Sequence, residues 1–286
     1  MNEKVYLDGK LIERDRALIS VLDYGFLYGF GLFETMRAYG GKVFRNDQHL
    51  KRLQDSAKLL GLTINPTTLR NAVTKTINEN KLDSARVRIT LSPGLGEINA
   101  NLDTCTNSTT LVVAEKYVPF PERVYRYGFT TITSSLRINS QSPLSGLKST
   151  SYIMNVLARQ EARSHGVDEA VCLNEKGLLA EASMSNVFLI DRNVLKTPAL
   201  ISGILPGITR QIVIELAKRM GIECKEVDIT ADQLHQSQEA FLTNSLIEIM
   251  PLTNLDNKQI GKGRMGNITE NLLNEYRKLV SEELSG

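Results

Sequence analysis

Cysteine and histidine are scarce: the chain carries three of each, Cys105, Cys172 and Cys224, and His49, His165 and His235. An odd number of cysteines without C-x-x-C spacing argues for free thiols over disulfides, and Cys172 falls inside an apolar run, where a free thiol packs as a small hydrophobe. The scattered histidines give a zinc site or a histidine-centred triad little material, so no metal is expected. An excess of one charge is lacking too. The 34 Lys and Arg against 32 Asp and Glu leave a formal +2, with the two signs interleaved along the chain. Without a basic stripe, nucleic acid is not an expected partner. No stretch nears the roughly 18 apolar residues of a membrane span, and the start Met1-Asn2-Glu3-Lys4-Val5-Tyr6 holds no apolar segment. A cytoplasmic protein without a membrane partner is expected.

What is present fits an ordinary globular chain, with 42% hydrophobic and 23% charged residues over 286 positions. That length favours two domains. Val5-Tyr6-Leu7 followed by Asp8-Gly9 predicts an opening hairpin. Leu50, Leu53, Ala57 and Leu60 recur at helical spacing, with Asp47 as the expected cap and Gly61 as the stop. A second helix is predicted from Pro66 to about Asn80, and strands return over 85–115. Val118-Pro119-Phe120-Pro121 denies two backbone donors, which makes 119–124 the expected linker between a domain at 1–118 and a larger one at 125–286. Beyond it, short strands alternate with helices predicted at about 150–165, 209–220 and 268–283.

Several residues carry chemistry if their surroundings allow it. Lys148, flanked by leucines just before a helix, would be desolvated and so favour the neutral amine that attacks a carbonyl. Taken alone, it reads more readily as a surface lysine with a snorkelling stem. Glu181 precedes the strand Asn186-Val187-Phe188-Leu189-Ile190, and a carboxylate there either pairs with a ring nitrogen or faces water. Leu205-Pro206-Gly207-Ile208-Thr209-Arg210 opens a helix whose free N–H groups suit an anion, although Thr209 serves equally as a cap. Thr243-Asn244-Ser245 ends a strand and suits a phosphate or a turn. Arg52 lies beside the apolar stripe of its helix, where its guanidinium pairs with a phosphate or points outward. The glycines of Gly25-Phe26-Leu27-Tyr28-Gly29-Phe30-Gly31 form no G-x-G-x-x-G at a helix start, so a tight aromatic loop is expected, not a dinucleotide site.

In this order the motifs resemble one family, the class IV (fold type IV) enzymes dependent on pyridoxal 5′-phosphate (PLP). It comprises branched-chain and D-amino acid aminotransferases and aminodeoxychorismate lyase. The resemblance runs from Tyr24-Gly25-Phe26-Leu27-Tyr28-Gly29, Phe33-Glu34-Thr35 and His49-Leu50-Lys51-Arg52-Leu53 to Thr243-Asn244-Ser245, and is densest from Lys148 to Ile190. It implies an α+β fold of a small α/β domain and a larger pseudo-barrel domain with PLP between them, in a homodimer. It also implies that Lys148 forms the Schiff base and shuttles the proton, and that Glu181 pairs with the pyridine nitrogen. Arg52, Ile208, Thr209, Asn244 and Ser245 would hold the phosphate, Leu205 would lie against the ring, and Tyr28 and Arg88 would face a small amino substrate.

The chain departs from the family pattern at two places. Ala182 stands where a glycine usually follows the glutamate, and Phe30 stands between the loop glycines where an acid is common. The carboxylate-binding arginine of D-amino acid aminotransferases falls on Pro93, which counts against D-specificity. Thr243-Asn244-Ser245 and Pro143-Leu144-Ser145-Gly146-Leu147-Lys148 look more like aminodeoxychorismate lyase. The sequence therefore favours conversion of 4-amino-4-deoxychorismate to 4-aminobenzoate and pyruvate. The alternative is an aminotransferase using 2-oxoglutarate, acting on branched-chain L-amino acids in preference to D-amino acids.

Overall fold

The computed structural model describes residues 3–285. The chain gathers into two compact units, one of residues up to Val118 with Leu147–Tyr152, the other of Pro119–Gly146 with Ile153–Ser285.

In the first unit, β1 (Lys4–Leu7) and β2 (Lys10–Glu13) form the opening hairpin, and Asp8 and Gly9 turn it at φ of 46° and 92°. After a short helix α1 (Tyr24–Leu27) come β3 (Leu32–Tyr39), β4 (Lys42–Val43), α2 (Asn46–Leu59), α3 (Pro66–Glu79), β5 (Ala85–Ser92) and β6 (Thr109–Lys116). The six strands form one antiparallel sheet ordered β2-β1-β6-β5-β3-β4. Along β5, Ala85, Val87 and Ile89 are buried while Arg86 and Arg88 are exposed, the two-residue period of a strand with one face in the core. That core is completed by Leu50, Leu53 and Ala57 of α2 and by Leu69, Val73 and Ile77 of α3.

The cap of α2 differs from expectation. Arg45 occupies the cap position in left-handed conformation, and its side chain does not cap the first turn. Asp47 sits inside the first turn, where an acid suits the helix dipole, and its carboxylate is taken by Arg70 at 2.6 Å. Gly61, at φ of 69°, closes the helix as predicted, its N–H bonding Lys58 O while that of Leu62 bonds Ala57 O.

The second unit contains α4 (Glu122–Tyr127), β7 (Phe129–Ile138), α5 (Ile153–Ser164), β8 (Glu169–Asn174), β9 (Leu179–Ala182), β10 (Asn186–Asp191) and β11 (Val194–Pro198). There follow α6 (Ile208–Arg219), β12 (Cys224–Val227), α7 (Ala231–His235), β13 (Glu239–Asn244), β14 (Glu248–Leu255), β15 (Lys258–Gln259) and α8 (Asn267–Leu284). The strands run β12-β11-β10-β13-β14-β7-β8-β9, with β15 on β14. β9 also comes back against β10 and β11, so the sheet curls on itself. The mixed α/β composition with curled sheets agrees with the fold that the resemblance implies. Ala158 and Ala162 of α5 pack on Ala170 and Cys172 of β8, while α6 and α8 pack together over β13 and β14.

α5 starts at Ile153, later than the periodicity predicts, because the preceding backbone is already committed. Within the first unit Phe33 N–H bonds Lys148 O and Thr150 N–H bonds Gly31 O, both at 2.8 Å. Lys148 therefore lies on a non-helical segment alongside the start of β3, five residues ahead of the helix. Gly31 is what allows the approach, since a Cβ there would sit 2.6 Å from Leu91 O and 2.9 Å from Thr150 Oγ1.

Candidate functional site

The first unit organises its candidate residues around β3. The Lys148 nitrogen lies 4.4 Å from the centroid of the Phe33 ring and 5.6 Å from that of Tyr152. Those two rings meet edge to face at 5.1 Å. Arg88, opposite Thr35 on β5, brings its guanidinium carbon to 3.8 Å from the Phe33 centroid. Two cations against one aromatic pair form a cation–π cluster whose positive field draws an anion. Lys148 is half-buried. Tyr28 is partly exposed and packs edge-on against Tyr24. Its loop is tied to the lysine segment, since Gly29 O accepts from Thr150 Oγ1 at 2.7 Å and from Ser151 Oγ at 3.0 Å.

Arg52 has its orientation imposed from below. Its Nε donates to Glu34 Oε1 at 2.8 Å and its Nη2 to Glu34 Oε2 at 2.7 Å, a bidentate pair. His49 Nδ1, one turn earlier on the same face of α2, meets Glu34 Oε2 at 2.7 Å. Burial pushes the Glu34 carboxyl up, but the Arg52 guanidinium and the His49 hydrogen bond outweigh it and bring the carboxyl down to about 2. For His49, burial dominates over the attraction of Glu34 and lowers its pKa below the usual histidine value. The arrangement is thus a neutral imidazole donating Nδ1–H to an ionised carboxylate that grips Arg52.

In the second unit, Glu181 stands on β9, and its Oε2 receives the Leu205 N–H at 2.9 Å and Asn186 Nδ2 at 3.3 Å. The same Asn186 amide donates to Leu205 O at 2.9 Å, which couples the carboxylate to the segment that leads into α6. Gly207 caps α6 and, having no side chain, makes no side-chain bond to its first turn. Thr209 is instead buried inside that turn, where sequence alone left cap and anion site equally open. A Cβ on Gly207 would lie 2.0 Å from Asn186 Oδ1, so only glycine fits. Asn244 Oδ1 accepts from Leu246 and Ile247 N–H at 2.9 and 3.0 Å, while its Nδ2 donates to Met184 O and Ser185 Oγ. Thr243, the register partner of Asn186, has its buried hydroxyl without a hydrogen-bond partner among the described residues.

These features fit a phosphate-bearing pyridine. The uncapped helix start, the glycine pressed on Asn186 and the unpaired Thr243 hydroxyl suit an oxyanion. The anchored Glu181 suits a ring N–H. Asn186, Glu34 and His49 were not given roles from sequence, and Thr243 only as part of the Thr243-Asn244-Ser245 cluster. The i,i+3 spacing of His49 and Arg52 was a usable signal, and so was a polar Asn186 opening an apolar strand. Glu34 falls in the Phe33-Glu34-Thr35 block of the resemblance, but its role was not legible because its partners lie on another element. Among the described residues no group of three or more His, Cys, Asp or Glu could hold a metal ion, and no helix is long and apolar enough to cross a membrane.

The pattern of the amino-transferase class IV family matches residues 31–255. A Methanocaldococcus jannaschii protein that carries the name of a branched-chain-amino-acid aminotransferase is 37% identical over 96% of both chains. D-alanine aminotransferase of Listeria innocua is 34% identical, covering 96% of this chain and 94% of that relative. Aminodeoxychorismate lyase of Bacillus subtilis is 33% identical with the same coverage. Among solved structures, the T.th. branched-chain amino acid aminotransferase with pyridoxamine 5′-phosphate superposes at a TM-score of 0.93, with 30% identity over 99% of this chain and 95% of that one.

Proposed function

Because the chain belongs to the amino-transferase class IV family, we propose that this PLP-dependent enzyme transfers the amino group of a branched-chain L-amino acid to 2-oxoglutarate, with the cofactor tethered to Lys148. The observation that carries this choice is that, of the relatives named above, the one of highest identity and the superposing structure both bear a branched-chain aminotransferase name. The lyase favoured by Thr243-Asn244-Ser245 and the Pro143–Lys148 stretch becomes the second reading. The first of those stretches lies in the proposed phosphate grip, which concerns how the cofactor is held and is silent on which bond breaks. The B. subtilis relative keeps the lyase reading in play.

Bound PLP supplies an electron sink conjugated to the amino-bearing carbon of the substrate. In this reading the Lys148 amine would be both tether and base, taking up the proton of the substrate's amino-bearing carbon and, for transamination, giving it back. Glu181, held by the Leu205 N–H and Asn186, would accept from the pyridine N–H and keep that nitrogen protonated. Arg52, fixed by Glu34, offers a cation to the phosphate. The N–H groups at Ile208 and Thr209 and the polar groups of Asn244 and Ser245 complete the grip, with Leu205 against the ring. Arg88 and Tyr28 face the substrate, Arg88 as the partner of a carboxylate.

We assign a homodimer as the working form, supported by the exposure of Leu18, Val21, Phe26 and Ile98 in the first unit. Light scattering should return twice the chain mass. The reaction is tested by incubating the enzyme with L- and D-amino acids plus 2-oxoglutarate beside aminodeoxychorismate. Glutamate formed from L-leucine, L-isoleucine or L-valine supports the proposal. Pyruvate and 4-aminobenzoate without glutamate would replace it with the lyase, and glutamate from D-alanine alone would replace it with the D-specific reading.

A further inference from the structure

The turn that carries Asn244 and Ser245 rests on a residue ill-suited to its backbone. β13 and β14 pair as far as Asn244 opposite Glu248, and residues 245–247 close the hairpin. Glu248 takes φ of 57°, the left-handed region where glycine and asparagine are at ease and a longer side chain is not. Its side chain is also buried, with Oε2 accepting from Arg277 Nε at 3.0 Å. Arg277 projects from α8, reaches Glu122 with Nη1 at 2.9 Å, and lies 4.7 Å from the Tyr125 ring centroid. One foot of the turn is therefore held by Asn244 through Met184 and Ser185, the other by an ion pair to the last helix.

A hairpin that needs only to close takes glycine at the left-handed position and requires no partner. A glutamate there brings a carboxylate into the interior, which is tolerable only with a cation beside it. We propose that Glu248 and Arg277 are positioning residues for the anion grip. Their ion pair holds the left-handed turn in the shape that presents Asn244 and Ser245 to the cofactor phosphate. The inference rests on the reading that those two residues hold that phosphate, and adds the device that sets their geometry.

The test strips the purified enzyme of cofactor and titrates it with PLP and, separately, with pyridoxal, which lacks the phosphate. In Arg277→Met the PLP dissociation constant should rise roughly tenfold while that of pyridoxal stays within about twofold. Adding Glu248→Gly to Arg277→Met should restore PLP affinity, because glycine accepts the positive φ and leaves no buried charge. Unchanged PLP affinity in Arg277→Met, or equal losses for PLP and pyridoxal, overturns the positioning role. If Arg277→Met does not fold, Glu248→Gln decides: it keeps the strained backbone and removes the charge, so a loss selective for PLP supports the role and none overturns it. A wild-type enzyme that binds pyridoxal as tightly as PLP would instead remove the phosphate-site reading, and this inference with it.

Discussion

Lys148 acquires its setting from backbone bonds to β3 and from two aromatic rings, and these are what separate it from the many lysines on the surface. Lys148→Ala should abolish the visible absorbance of the protein-bound cofactor while far-ultraviolet circular dichroism stays unchanged; an unaltered visible spectrum would remove Lys148 as the tether. Arg52 depends on a residue that touches it from the sheet. Glu34 is 1% exposed and the Arg52 side chain 12%, so Glu34→Ala leaves a largely buried guanidinium without its fork. Loss of about 3 kcal/mol of stability in urea unfolding is expected, together with weaker PLP binding. A variant as stable as the parent would show that Arg52 finds another partner. Lys148 and Glu181 were legible as candidates because a motif surrounds each in sequence. Glu34 lies in a motif block too, but its role was not legible, because its partners His49 and Arg52 come from the helix that packs beneath its strand.

At the scale of elements, apolar periodicity predicted the helices α2, α3, α6 and α8, whose buried faces recur every three to four residues. Two of their caps were less legible. The α2 cap fell on Arg45 and the α6 cap on Gly207, one chosen by a left-handed turn and the other by the nearness of Asn186. Gly207 gives a direct test. A methyl group there would meet Asn186 Oδ1 at 2.0 Å, so Gly207→Ala should push Asn186 off Leu205 and Glu181, with roughly 1–3 kcal/mol of lost stability. Weaker cofactor retention should accompany it. Gly146→Ala, with open space around the new Cβ, should change the melting temperature little. Equal effects at the two positions would show that the contact at Gly207 relaxes freely.

The whole molecule responds to pH through buried groups of opposing sense. Glu34 titrates at about 2 in the fold, below its ordinary 4.5, so its contribution is fully present above about pH 4.5 and is lost as pH falls toward 2. His49, lowered by burial, is held neutral in the fold while the unfolded chain takes up a proton below about 6.5, so stability starts to fall there on acidification. Glu169 acts the other way. Burial, outweighing the Ser183 and Arg159 contacts, raises its carboxyl, so its contribution declines as pH rises through its folded value. Unfolding midpoints in urea at pH 7, 5 and 3 should fall in that order for the parent. Glu34→Gln should flatten the step between pH 5 and 3. A parent midpoint that rises toward pH 3 would show that Glu169 outweighs the Glu34 and His49 network.

By itself the sequence determined most of the elements, because apolar periodicity and turn residues are local and survive in one dimension, while the cofactor class and the fold type were legible through the resemblance of its motifs to a known family. The tertiary structure decided how the anchors are held: Glu34 beneath Arg52, Asn186 between Glu181 and Gly207, and Arg277 beneath the turn at Glu248. Each of these joins residues from different elements through buried polar contacts. Such contacts have no spacing signature, since the fold brings the partners together only after the local elements exist. Lys148 lies on both sides of that line. Its motif is legible in the chain, while its place against Phe33 and Tyr152 follows from a segment that folds back onto β3.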